Sequence, residues 1–410
     1  MRIFSLSFFL VVQAGLAQAS PLTFPAALDL AERQAPSLAA QHARVEAAQS
    51  SAISADALPD PKLIVGIDNL PVSGADRWNP NRDFMTMQKV GVMQEIPNAD
   101  KRRARADAAQ ADVAISQAGR RAERARLRSD TAQAWLRRYY LQQRVAVLDA
   151  FDQENGLLAQ AVRARLASGA GEAGDAVMPR QEAARLADSR DELERDLAKA
   201  RADLRRLIGS HGDDPLAGDP PPLAIDADVL RQQLHLHPEL ASFAPASLKA
   251  AAEVREAEAA KNLDWGVEVA YQQRAPQYGD MVSVQFTFDL PIFSATRQQP
   301  QIAAKRLEAS RIAAEQEATF RMHAAELDND LADHAALTRQ LERAQNAWLP
   351  LAREKADLQS AGYQSGKVEL VRLLAARREL LEQRLRSIDI EQQRQIVAGK
   401  LYFSYGEGSQ

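Results

Sequence analysis

Residues 280–291 read DMVSVQFTFDLP, in which Val282, Val284, Phe286 and Phe288 alternate with Ser283, Gln285, Thr287 and Asp289. A period of two is a strand with one apolar and one wet face. The stretch constrains the fold because it recurs in a chain otherwise rich in helix-forming residues. Residues 83–97, DFMTMQKVGVMQEIP, end in the same acid, aliphatic, proline sequence and run into a long helical stretch. Upstream, KLIVGIDN (62–69) corresponds to DWGVEVAYQQ (264–273), with Leu63, Val65 and Ile67 aligned to Trp265, Val267 and Val269. Polar loops, LPVSGADRWNPNR and RAPQYG, join each pair. Downstream, Gly169 and Gly366 hold equivalent places, and Arg180, Leu204 and Gly209 match Arg377, Leu401 and Gly406 at a constant offset of 197. Matches in the same order point to internal duplication.

Each copy reads as helix, strand, loop, strand, very long helix, glycine turn and return helix. In the first copy, 20–210, strands are predicted at 62–70 and 83–96, the long helix at 98–168 and the return helix at 172–208. In the second, 229–406, the strands fall at 264–274 and 280–290, the long helix at 296–365 and the return helix at 367–403. The Pro-, Gly- and Asp-rich residues 211–228 read as a linker. No proline interrupts 98–168, which at 1.5 Å per residue is about 105 Å of helix. Leu136, Tyr140, Val147, Phe151, Leu158 and Val162 keep an apolar seam along it. Pro350 should kink the second long helix. The return helices are half as long, so the helices at about 25–56 and 238–261 are expected to stack end to end on them. That gives four rods, two continuous and two spliced.

The N-terminus, MRIFSLSFFLVVQAGLAQAS, has one Arg, an apolar run too short to span a bilayer and an Ala17-Gln18-Ala19 cleavage pattern. It reads as a secretory signal peptide, 1–19. The 51 basic and 55 acidic residues argue against a nucleic-acid partner. The absence of cysteine excludes disulfide frameworks, Cys-ligated zinc, thiol catalysis and an N-terminal Cys lipid anchor. Without a phosphate loop, a metal-ligand cluster or a convincing triad, no enzyme and no cofactor is expected. Four strands cannot close a barrel with a lumen, and open strand edges cannot face lipid. The strands therefore need other chains, two giving eight strands and three giving twelve, unless the sheet is a soluble one packed on a core.

The duplicated strand-pair and long-helix plan, with Tyr363-x-x-Gly366 at a turn, resembles the TolC-type outer-membrane efflux factors. IDNLPVSG (67–74), DFMTMQKVGVMQEIP, KRRAR (101–105) and WLPLAREKADLQSAGYQSGKVELVRLLAARREL are similar to the heavy-metal, CzcC- and CusC-like branch. The resemblance covers essentially the whole mature chain. It implies a mainly α fold with a small β contribution: a homotrimer with a twelve-stranded outer-membrane β-barrel on a twelve-helix periplasmic α-barrel. It further implies a passive exit duct that works with a periplasmic adaptor and an inner-membrane RND pump in a Gram-negative cell. The cargo would be Co, Zn, Cd, Cu or Ag cations, or alternatively drugs or other small molecules.

The same resemblance places a periplasmic gate at Asp175, Tyr363, Lys367 and Glu369, with Gly169 and Gly366 at the helix-turn tips. Ala375 stands where relatives often carry an acid. Capping and packing are the competing roles for Asp175 and Tyr363. On the strands, the wet face would put Lys89, Glu95, Asp264, Glu268, Ser283, Gln285, Thr287 and Asp289 toward the lumen. Gln88 and Gln94 break the pattern on the opposite face. No stable metal site is expected: His235-x-His237 before Pro238 reads as a helix start, and His42, His211, His323 and His334 are scattered. Met85, Met87 and Met93 share a strand face and read as packing. The Arg-rich runs are solvated faces and intersubunit pairs. A periplasmic adaptor or a soluble coiled-coil scaffold stays open as a competing reading, to be separated by detergent dependence.

Overall fold

The structure, a computed structural model, describes residues 21–169 and 171–406. The predicted signal peptide lies outside the described residues. In chain order the helices and strands are α1 (Phe24–Gln34), α2 (Pro36–Ser54), β1 (Lys62–Asp68), β2 (Met87–Ile96), α3 (Ala99–Ala167), α4 (Met178–Ile208), α5 (Ala227–Gln233), α6 (Pro238–Ala241), α7 (Phe243–Ala259), β3 (Trp265–Gln273), β4 (Met281–Phe288), α8 (Gln298–Arg343), α9 (Leu349–Gln364) and α10 (Leu370–Leu401). No described helix is long and apolar enough to cross a membrane. Two compact units share these elements among the described residues, one from 21–35, 127–225 and 332–402, the other from 36–126, 226–331 and 403–406.

The second unit holds one antiparallel sheet in the order β1-β2-β3-β4. Its central pairing, β2 with β3, joins the two copies, with Val92 opposite Val269 and Lys89 opposite Gln272. The first copy's second strand is shorter than predicted. Asp83 accepts the Met85 N–H at 2.7 Å, a local turn that replaces strand pairing there. β1 also stops early, because Asn69 takes φ 56° and its side chain donates to the Met85 carbonyl at 3.3 Å.

The first unit packs α4 and α10 on the C-terminal part of α3. Leu141, Leu148, Phe151, Leu186, Leu193, Leu197 and Leu381 form one cluster, and Leu158, Val162, Tyr363, Leu370, Leu373 and Leu374 another. The seam is buried as its spacing requires, except that Leu148 rather than Val147 enters the core. Each fully buried leucine contributes roughly 1.5–3 kcal/mol.

Three expected elements are divided differently. The helix at 25–56 breaks between α1 and α2 at Ala35, the residue before Pro36, which that proline biases away from helix. The helix at 238–261 breaks at Ser242, whose hydroxyl donates to the Glu239 carbonyl at 2.6 Å. The second long helix is interrupted by a π-helical turn, Ala344–Trp348, that widens the coil just ahead of Pro350 in the first turn of α9. The segment 211–228 is irregular between a 3-10 turn, Gly209–Asp213, and the start of α5, but is no free tether. Arg138, buried, donates to the carbonyls of Gly212 and Asp214 at 2.7 Å each, and Tyr139 donates to Asp219 at 2.8 Å. Gly212 lies so close to Arg205 that a Cβ would sit 2.4 Å from its backbone nitrogen.

Candidate functional site

The register of the sheet sorts every strand residue onto one of two faces. Leu63, Val65 and Ile67 of β1, Val90 and Val92 of β2, Trp265, Val269 and Tyr271 of β3, and Val282, Val284, Phe286 and Phe288 of β4 share one face. All of them are exposed, Val282 to 69%. A contiguous apolar surface of that size is not a solvent-facing one. Of the two exceptions, Gln94 turns its amide to the carbonyls of Pro59 and Glu95 at 2.8 and 2.9 Å. Gln88 sits next to the strand end, exposed.

The opposite face carries Lys89, Gly91, Met93 and Glu95 beside Gly266, Glu268, Ala270 and Gln272, and then Ser283, Gln285 and Thr287. Lys89 and Glu268 form an ion pair, their side chains only 16% and 12% exposed. The pair passes over Gly91, where a Cβ would meet the Ala270 Cβ at 2.7 Å and the Val269 carbonyl oxygen at 2.9 Å. Glu95 pairs with Lys62 across the sheet. Two predicted members of this row stand outside the strands. Asp264 precedes β3, and its carboxylate accepts the Asn98 N–H and side-chain amide at 2.8 Å each and Lys101 Nζ at 2.7 Å. It thus anchors the start of α3 instead of standing free on the wet face. Asp289 follows β4, and its N–H donates to the Asp264 carbonyl at 2.9 Å.

In the first unit the two glycine tips come near each other. Gly169 and Gly366 adopt φ 75° and 74°, left-handed conformations that glycine takes without strain. Arg165, which sequence reasoning missed, ties the turns together: Nη1 donates to the Tyr363 carbonyl at 2.8 Å, and the guanidinium lies 4.7 Å from the Tyr363 ring centroid. Tyr363 is buried in the α9–α10 cluster, and its hydroxyl has no hydrogen-bond partner among the described residues. Asp175 lies in a 3-10 turn, Ala173–Ala176, and accepts the Glu172 N–H at 3.3 Å. Lys367 and Glu369 are exposed and make no ion pair with each other among the described residues. At the repeat offset Arg165 corresponds to Gly362, so the second copy has no equivalent side chain.

The second unit also gathers residues expected to be scattered. His237 caps α6, its Nδ1 accepting the Glu239 N–H at 3.3 Å, as a helix-start role requires. His323 on α8, distant in sequence, packs against it with ring centroids 3.9 Å apart and planes tilted by 37°. Burial and the neighbouring His323 hold the His237 imidazole down at about 4. The expectation that His323 stands apart is therefore corrected; contacts at long sequence separation have no local signature.

A sheet bare on its apolar face and long helices that turn back on themselves, in one chain, fit the class of membrane-embedded channel proteins. The sequence profile of the outer membrane efflux protein family matches residues 27–210 and 229–407, and the chain belongs to that family, placing it in the outer membrane. No curated protein matches. Among solved structures, the fold is similar to a membrane protein from Pseudomonas aeruginosa (TM-score 0.81, 20% identity, covering 93% of this chain and 90% of that one). It is also similar to CusC (0.78, 17%, 93% and 92%) and to the outer membrane protein VceC from Vibrio cholerae (0.77, 17%, 93% and 96%).

Proposed function

We propose that the chain is the exit duct of a tripartite efflux system, a homotrimer that receives cargo from an inner-membrane RND pump through a periplasmic adaptor and exports heavy-metal cations. The observation that carries the duct reading is the sheet: one face apolar and exposed on all four strands, the other polar, with β1 and β4 at its open edges. Such a sheet needs lipid on one side, water on the other and further copies at its edges. The heavy-metal reading is supported by the sequence resemblance of 67–74, 83–97 and 348–380 to the CzcC- and CusC-like branch and by the fold likeness to CusC. In this reading Lys89, Glu268, Gln285 and Thr287 line the lumen, and Arg165, Tyr363 and Asp175 hold the periplasmic end shut. Deletion of the gene, with growth measured on Co, Zn, Cd, Ni, Cu and Ag salts and on a panel of dyes and detergents, tests it. Sensitivity to one or more of the metals is expected. Unchanged metal tolerance with new sensitivity to the organic compounds would assign the duct to small molecules instead.

A further inference from the structure

The cluster around His323 has the makings of a site that the duct does not require. His323 Nε2 lies 2.9 Å from Glu239 Oε2, and the donor atoms of His237, Glu239 and His323 all fall within 4.8 Å of one another. Two imidazoles and one carboxylate form a donor set suited to a first-row divalent transition metal and poorly suited to Mg or Ca. The other ring nitrogen of His323 supplies an independent observation. The His323 side chain is 7% exposed, and its Nδ1 has no hydrogen-bond partner among the described residues, though Glu326 Oε2 stands 3.4 Å away. A ligating histidine characteristically offers its second ring N–H to a carboxylate, which orients the ring and raises its basicity. With a cation at Nε2, the proton moves to Nδ1 and Glu326 becomes that partner. Glu239 is half exposed, so an ion has a path in.

We propose that His237, Glu239 and His323 bind one divalent transition-metal ion per chain, with a fourth position left to water and Glu326 orienting His323. The site ties α6, at the start of the second repeat, to α8, the second long helix. This inference does not rest on the exported cargo being a metal: a duct for organic compounds could carry the same structural ion.

The test uses the full-length protein, detergent-solubilised, purified without a polyhistidine tag and stripped with chelator. Zn2+ is titrated by calorimetry and Co2+ by its visible absorption. Saturable uptake of one ion per chain is expected, with Co2+ bands of low-coordinate nitrogen and oxygen ligation. His323→Gln and His237→Asn should each weaken Zn2+ binding by more than about tenfold, and Glu326→Gln by about tenfold. His235→Ala, whose ring Nδ1 lies 2.9 Å from the Gln232 carbonyl oxygen, should leave it unchanged. Because His323 is buried, Glu239→Gln at the half-exposed ligand is the variant that tests binding with the fold intact, verified by circular dichroism. No saturable uptake by the unaltered protein would overturn the proposal and leave a His323–Glu239 hydrogen bond only. Unweakened binding in Glu239→Gln and His237→Asn would overturn it equally. Neither result bears on the efflux phenotype.

Discussion

The carboxylate of Asp175 accepts the Glu172 N–H, so its charge and its capping can be separated by substitution. Asp175→Asn keeps an acceptor for the turn and removes the charge; Asp175→Ala removes both, at a cost of about 1 kcal/mol in turn stability. If a ring of these acids biases the closed end toward cations, Asn alone should lower cation selectivity in planar-bilayer recordings, and Ala should also raise single-channel conductance. A variant pair that conducts like the unaltered protein would leave Asp175 a capping residue. Tyr363 poses the opposite question. Its buried hydroxyl lacks a partner among the described residues, so Tyr363→Phe should be neutral or slightly stabilising, whereas Arg165→Ala removes the hydrogen bond and the cation–π contact that join the two turns. Recordings of Arg165→Ala should show more frequent or larger openings than those of Tyr363→Phe. The tips themselves were legible from Gly169 and Gly366, because positive φ is a demand that glycine advertises. Arg165 was not, because an arginine in the last turn of a helix already has an ordinary explanation in the helix dipole.

At the scale of elements, the alternation of the strands carried most of the information. Period two assigns faces without any knowledge of partners, and the register then puts all four apolar sets on the same side. What alternation does not report is where pairing stops. Asn69 and Asp83 end the strands through side-chain bonds to the backbone, and the alternation of the wet row runs on to Asp264 and Asp289, which lie just outside β3 and β4. The helix break at Ser242 lies in a window of good helical composition, whereas Pro36 and Pro350 mark the breaks at Ala35 and at the π turn. The face assignment makes a graded prediction. Val284→Arg should cost about 2–4 kcal/mol if the residue lies near the bilayer midplane, while Gln285→Arg, one residue on, should be tolerated. Outer-membrane yield and resistance to urea of the assembled protein measure both. Gly91 offers a steric counterpart: Gly91→Val drives a Cβ into Ala270 and the Val269 carbonyl and should abolish assembly, whereas Gly66→Ala, with open space around it, should not.

For the whole molecule, the decisive quantity is the number of copies. A β-barrel of eight strands has an interior just wide enough for side chains to fill it, so two copies of a four-stranded sheet would make a plug rather than a duct. Here the inward row would include the Lys89–Glu268 pair, Met93 and Gln285, and little would pass among them. Three copies and twelve strands form the smallest closed arrangement that leaves water between the walls. The stoichiometry therefore follows from the sheet if the protein conducts, without appeal to its relatives. The closing contacts must join β4 of one copy to β1 of the next, because β2 and β3 are paired on both edges within the chain. The chain has no cysteine, which makes the test clean. Cysteine pairs scanned along β1 and β4, beginning with Val65→Cys combined with Val284→Cys, should produce disulfide-linked dimers and trimers on non-reducing gels at one register. Each single variant should remain monomeric after denaturation. A ladder that ends at two copies, or cross-linking that appears only in denatured protein, would rule out the twelve-stranded wall.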